Sequence, residues 1–260
     1  MKVVRLFGIA FSLSLRQAFA YRINLVFDAL MSLVQLVSAI AALGFIFSRT
    51  GLLAGWTGDQ MLVLVGTYTF MTGLRATFID PSVENFSERA RDGRLDVCML
   101  QPAPSLFLAT CNRHAPLILL QSGFGLVVIV VGLARLHVVP SAGQILAWLL
   151  LTGIGLTIGW STTVGLACLA FWAPRLSLGV LYDAAWQFGR YPVDIYRRAM
   201  RLMLTYIFPM AAVTTWPARA LTNGPQLRIL FVALGLGILL TTGAIALWRL
   251  GIRRYCGATS

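Results

Sequence analysis

Lysine is almost missing from this chain: of its 21 basic residues only Lys2 is not arginine. A GxxxxGK[ST] loop needs an internal lysine to reach the phosphates of a nucleotide, so this polypeptide does not hydrolyse ATP by that route. Histidine is as scarce. With His114 and His137 alone, HExxH and any multi-histidine metal centre are excluded. No GxSxG is present and no acid lies near either histidine in sequence, which removes the basis for a Ser-His-Asp arrangement. Cys98, Cys111, Cys168 and Cys256 are far apart with no CxxC, so neither a disulfide framework nor a zinc site is indicated. Asp183 and Asp194 flank the turn at Arg190, Tyr191 and Pro192, but two carboxylates do not by themselves specify an active site. The chain is not expected to be an enzyme, nor to hold a metal or cofactor of its own.

Charge of any sign is also thin. Charged residues make up 12% of the chain against 58% hydrophobic, and the mean hydropathy is +0.79. A soluble globule is usually about 45 to 50% apolar, and it does not carry several uninterrupted apolar runs of about 20 residues. The fold class is therefore an all-α integral membrane protein. In that setting the formal charge of +12 reflects topology and anionic lipid headgroups rather than nucleic acid, which is not expected as a partner.

What is there divides into apolar runs and short breaks. Residues 1–22 form an amphipathic stretch, with Phe7, Phe11, Leu15 and Phe19 against Lys2, Arg5, Arg16 and Arg22, and no cleavage site follows. It reads as an interfacial elbow helix. Spans are expected over 24–47, 60–79, 106–133, 143–171 and 227–248. Between 175 and 225, charges and Pro192, Pro209 and Pro217 deny any clean window. Two layouts fit: a short span over 176–191 followed by a Pro-broken re-entrant hairpin over 196–222, or a span over 199–221 after an interfacial segment. Either gives six transmembrane helices. Arginines before the first span, between the second and third, and after the last put both termini and the 80–104 segment in the cytoplasm.

That segment holds most of the acid in the chain. Asp80, Glu84, Glu88, Asp92 and Asp96 are five of nine acidic residues, spaced by four, so on a helix they share one side. Asp80 before Pro81 is a start signal, with the aspartate as N-cap acceptor, and Gly93 is a stop. A docking helix for a soluble partner and a merely solvated loop both account for this pattern.

GRLDVCMLQP over 93–102, FGRYPVDIYRRAMRLMLTYIFPMAAVTTWPARALTNG over 188–224, and the terminal WRLGIRRYCGATS together resemble the six-span membrane subunit of ABC-2 type ABC transporters. The likeness covers nearly the whole chain in order, as one permease domain over 1–260. It implies that 80–104 is the coupling helix that docks on a separate P-loop ATPase subunit dimer, which carries the ATP and Mg. Glu84, Glu88, Asp92, Asp96, Leu95 and Leu100 are then docking contacts and Gly93 a hinge. Tyr191, Pro192, Pro209 and Pro217 belong to the re-entrant hairpin, which favours the first layout. The other partners implied are a second permease copy or paralogue and membrane lipids. The location implied is the inner (plasma) membrane, and the activity export. The alternative is an ATP-independent secondary transporter or channel, for which intramembrane ionisable groups are few.

Overall fold

The computed structural model describes residues 7–8, 10–16, 22–91, 105–173 and 179–258. These residues form helices and no strand: α1 (Arg22–Phe47), α2 (Gly58–Phe78), α3 (Asp80–Arg91), α4 (Ser105–Thr110), α5 (Leu119–Arg135), α6 (Ala142–Cys168), α7 (Gly179–Phe188), α8 (Arg198–Leu202), α9 (Trp216–Asn223) and α10 (Leu227–Ala258). Five segments are long and apolar enough to cross a membrane: Ala29–Phe47, Gly58–Phe78, Pro116–Arg135, Ala142–Phe171 and Leu227–Arg254. The starts of α2 and α6 are set by capping boxes. Thr57 and Gln60, and likewise Ser141 and Gln144, exchange side-chain and backbone hydrogen bonds that satisfy otherwise orphaned N–H groups.

Glycine decides how closely the helices approach. Gly66 and Gly73 on α2, and Gly125 and Gly132 on α5, are each seven residues apart and so on one face, and all four lie against the other helix, Gly66 directly against Gly125. A Cβ on Gly66 would lie 2.7 Å from the backbone nitrogen of Ile129, and one on Gly132 3.0 Å from that of Val63. Ser122 fills the seam and donates to the Phe70 carbonyl at 3.0 Å. Gly155 on α6 likewise admits the backbone of Ala212 and Val213, whereas Gly153, Gly235 and Gly243 face open space.

Three apolar layers stack along α2. At its Gly58 end Trp56, Met61, Leu133, Trp148 and Leu221 pack together. Halfway along, Tyr68, Met71, Ile158, Tyr182, Trp186 and Met210 do so. At its Phe78 end Ile79, Val83, Phe86, Val164, Cys168 and Trp248 form the third layer. The described part of the N-terminal segment belongs to this last end: residues 10–16 are helical, and Phe7 and Phe11 lie beside Phe78 and His114. His114 is therefore buried among rings rather than sharing the interface with exposed Arg113.

The segment expected as a span over 176–191 is different in kind. α7 has 10 residues, about 15 Å of helix against a hydrocarbon core of about 30 Å. It stops before Gly189, and the chain goes on through a bend and a 3-10 turn at Val193–Ile195. Within these residues the chain still passes from one end of α2 to the other, since Asp183 meets Arg75 and Asp194 meets Trp56. Beyond it, two helical arms turn back on each other at Phe208 and Pro209. Arg201 on the first arm and Arg219 on the second both donate to Asp194, at 2.7 Å each, to its backbone and carboxylate oxygens respectively. The turn itself reaches the middle layer, where the Phe208 ring lies 6.4 Å from that of Tyr182. Pro209 lacks the N–H that would continue a helix and pushes Phe208 toward extended backbone (φ −113°, ψ 82°). One continuous span over 199–221 is thus not formed.

Candidate functional site

α3 follows α2 almost without interruption, with the Val83 N–H bonding to the Ile79 carbonyl at 3.1 Å. Its buried side holds Ser82, Val83, Asn85 and Phe86. Phe86 is fully buried, 5.3 Å from the Trp248 ring and 5.9 Å from that of Phe171, an anchor worth on the order of 2 kcal/mol. Ser82 accepts from the Arg113 N–H at 3.0 Å, and Asn85 donates to Asn112 at 3.3 Å. The opposite side carries Glu84 and Glu88, both exposed. α3 is thus fixed on one side and charged on the other, held at the end of the bundle.

Asp80 does something other than cap. Its carboxylate accepts from Arg75 Nε at 2.9 Å, and a terminal nitrogen of Arg75 donates to Asp183 on α7. Arg75 is buried, and its guanidinium stands over Tyr182 at 4.8 Å and Trp186 at 4.6 Å, contacts that add cation–π attraction to the ion pairs. Beside this node a cavity of about 350 Å³ opens between α3, α6 and α7, and Asp80, Glu84, Glu88 and Asp183 all reach its wall. Burial pushes the Asp80 carboxyl above its ordinary range even though Arg75 pulls it down. Glu84, although exposed, is raised too, by partial desolvation beside the cavity and then by the negative charges of Asp80, Asp183 and Glu88. The three described members of the acidic series therefore share one rim, as their spacing demands. Asp92, Gly93, Leu95, Asp96 and Leu100 lie outside the described residues.

The other expected residues fall elsewhere. Tyr191 packs into the layer at the Gly58 end of α2, and Pro192 is buried one residue on. Pro217 is buried on the arm that carries Arg219, while Pro209 marks the deep turn. The broken backbone around them is satisfied by threonines from the second arm. Thr214 Oγ1 donates to the Gly189 carbonyl at 2.9 Å, and Thr215 Oγ1 accepts from the Val193 N–H at 3.3 Å. Non-helical backbone at membrane depth is tolerated only where protein meets its polar groups in this way. Both arms contain a π-helical stretch, Met203–Ile207 and Ala211–Thr215, on either side of the proline. Asp183 and Asp194 are not a carboxylate pair: the first serves Arg75, and the second Arg219 and Trp56. Among the described residues no group of three or more His, Cys, Asp or Glu could hold a metal.

A family model described as ABC-2 family transporter protein matches residues 33–259. The chain belongs to that family. It is the permease component of an ABC transporter, a multi-pass membrane protein that works with an ATP-binding partner and is not itself catalytic. Membership in the ABC-2 family displaces the alternative of an ATP-independent transporter or channel. No curated protein and no solved structure matches the chain.

Nothing in the sequence around Arg75 points to its pairing with Asp183. The one available signal concerns Asp80, since Arg75 stands in the last turn of α2, five residues before it. Sequence reasoning missed the threonine pair altogether, because Thr214 and Thr215 in an apolar stretch look like ordinary helix residues.

Proposed function

We propose that this ABC-2 permease forms half of an export pathway and receives its power stroke through the 80–104 segment from a separate P-loop ATPase dimer, which binds the ATP and Mg. The observation that carries this is α3 itself, clamped to the bundle by Phe86 and Arg75 while presenting Glu84 and Glu88 outward. Asp92 and Asp96 continue the charge series, Leu95 and Leu100 supply the apolar contacts, and Gly93 is the hinge. Single exposed pairs are worth about 0 to 1 kcal/mol, so recognition comes from several acting together with buried leucines. The Phe78 end of α2, with both chain termini, faces the cytoplasm of the inner membrane.

In this reading α7 and the residues up to Asp194 make a broken fifth crossing, giving six, and the two arms that meet at Pro209 are a re-entrant hairpin from the far side. Residues 1–22 serve as the elbow. The second half of the pathway is another copy or a paralogue, and lipids cover the remainder. The test is reversal of Glu84, Glu88 and Asp92 to lysine in one variant. The expected result is loss of co-purification with the ATPase and of its transport-coupled activity, with the permease still folded; full retention of both removes the docking assignment.

A further inference from the structure

Two described arginines lie at depth beside α2, and they differ in one respect. Arg75 is neutralised by two carboxylates. Arg190 has none: among the described residues no acid lies within ion-pair distance of it. Its side-chain hydrogen bonds are to neutral groups, Gln187 Oε1 at 3.5 Å and Tyr68, and its guanidinium stands 5.6 Å from the Tyr68 ring. Tyr68 is the eleventh of the 21 residues of α2, so this cation sits near the middle of the crossing. It follows the last turn of α7, next to Gly189, whose carbonyl accepts from Thr214 and is held by it.

An ionised side chain near the bilayer midplane is costly unless it meets water, a counter-charge or a ligand, and helices interrupted at that depth are where transporters build ligand sites. Arg190 is half-buried and its bond to Gln187 is on an exposed face, which leaves the guanidinium reachable. Further along the same segment Arg197 and Arg198 are exposed at the far end, where a positive charge is otherwise disfavoured.

We propose that Arg190 binds the anionic head of the transported molecule, and that the cargo is an amphiphile bearing a phosphate, sulfate or carboxylate. This rests on the permease reading, but the binding step does not need the ATPase, so the two are tested separately. The full chain in phosphatidylcholine nanodiscs is titrated with radiolabelled dodecyl phosphate, dodecyl maltoside and dodecyltrimethylammonium, with and without the ATPase. The wild type is expected to bind the phosphate about tenfold or more tightly than the other two, the worth of one charge-assisted hydrogen bond. Arg190→Gln is expected to lose that preference, Arg190→Lys to keep most of it, and Arg198→Gln to leave it intact.

Equal binding of all three probes by the wild type overturns the proposal, as does an unaffected Arg190→Gln or an equal loss in Arg198→Gln. In discs that contain phosphatidylglycerol, abolition of dodecyl phosphate binding assigns the site to a resident lipid and overturns the assignment to cargo. Selective binding without any response of the ATPase upholds the anion site and counts against the permease reading alone.

Discussion

Replacing Arg75 is expected to cost far more than replacing the acid it holds on α7. The side chain of Asp80 is 29% exposed and that of Asp183 61%. The Asp183 arm is therefore an exposed pair, worth about 0 to 1 kcal/mol. Arg75→Met keeps the bulk of the side chain but leaves Asp80 half-buried without a counter-charge, for about 3 kcal/mol, and forfeits the contacts over Tyr182 and Trp186, for about 1 kcal/mol more. At about 2 to 4 °C per kcal/mol for a chain of this size, Arg75→Met should lower the melting temperature by about 8 to 16 °C and Asp183→Asn by less than about 4 °C. The loss depends on pH in a definite direction. A carboxyl whose folded-state pKa lies above its unfolded value stabilises the fold while protonated, fully so below the unfolded pKa, and that contribution disappears as pH rises through the folded pKa. Asp80 is already raised by burial, and removing Arg75 raises it further, so the deficit of Arg75→Met should be smaller at pH 5 than at pH 8. Adding Asp80→Asn should recover much of it. Thermal unfolding in nanodiscs followed by tryptophan fluorescence at the two pH values reads all three variants. Equal deficits for Arg75→Met and Asp183→Asn, or a deficit that does not change with pH, refute the reasoning.

Gly66→Ala is expected to destabilise by at least about 2 kcal/mol, because its Cβ would fall 2.7 Å from backbone on α5 and nothing there can yield cheaply; Gly153→Ala, which faces open space, should be neutral or gain up to about 1 kcal/mol from helix propensity. Unfolding of the two variants side by side checks this. Thr214→Val strands the Gly189 carbonyl and should cost about 1 to 3 kcal/mol, whereas Thr157→Val removes only a bond to its own helix at Gly153 and should cost almost nothing; hydrogen exchange at residues 189–193 should rise in the first variant and not in the second.

The parts of the fold that composition and pattern could reveal were those governed by hydrophobic length. The five long apolar runs became five long helices, two of them started by caps at Thr57 and Ser141, but the third begins only at Pro116 rather than 106, after the separate short helix α4, and the last continues past 248. Contacts between runs were less legible. Glycines crowded together in one apolar run, such as 153, 155 and 159, only partly pack against neighbours, while the closest approach uses Gly66, Gly73, Gly125 and Gly132. Those pairs stand on two helices more than 50 residues apart in sequence, and nothing within either helix says which glycine will find a partner.

The site divides along the same line. Glu84 and Glu88 could be placed on one rim because a four-residue spacing is a local property of α3. Asp183 and Asp194 could not be separated by sequence, since ten residues of helix, bend and turn lie between them and carry one to each end of α2. The break at Gly189 survives because hydrogen-bonding groups 25 and 22 residues further on, from Thr214 and Thr215, close on it. Without those two hydroxyls the Gly189 carbonyl and the Val193 amide would be left buried and unpaired, at about 1 to 3 kcal/mol each. A continuous helix would then be the cheaper crossing. The threonines, rather than Pro192, are thus what makes the interruption after α7 possible, and they fix the backbone beside Arg190.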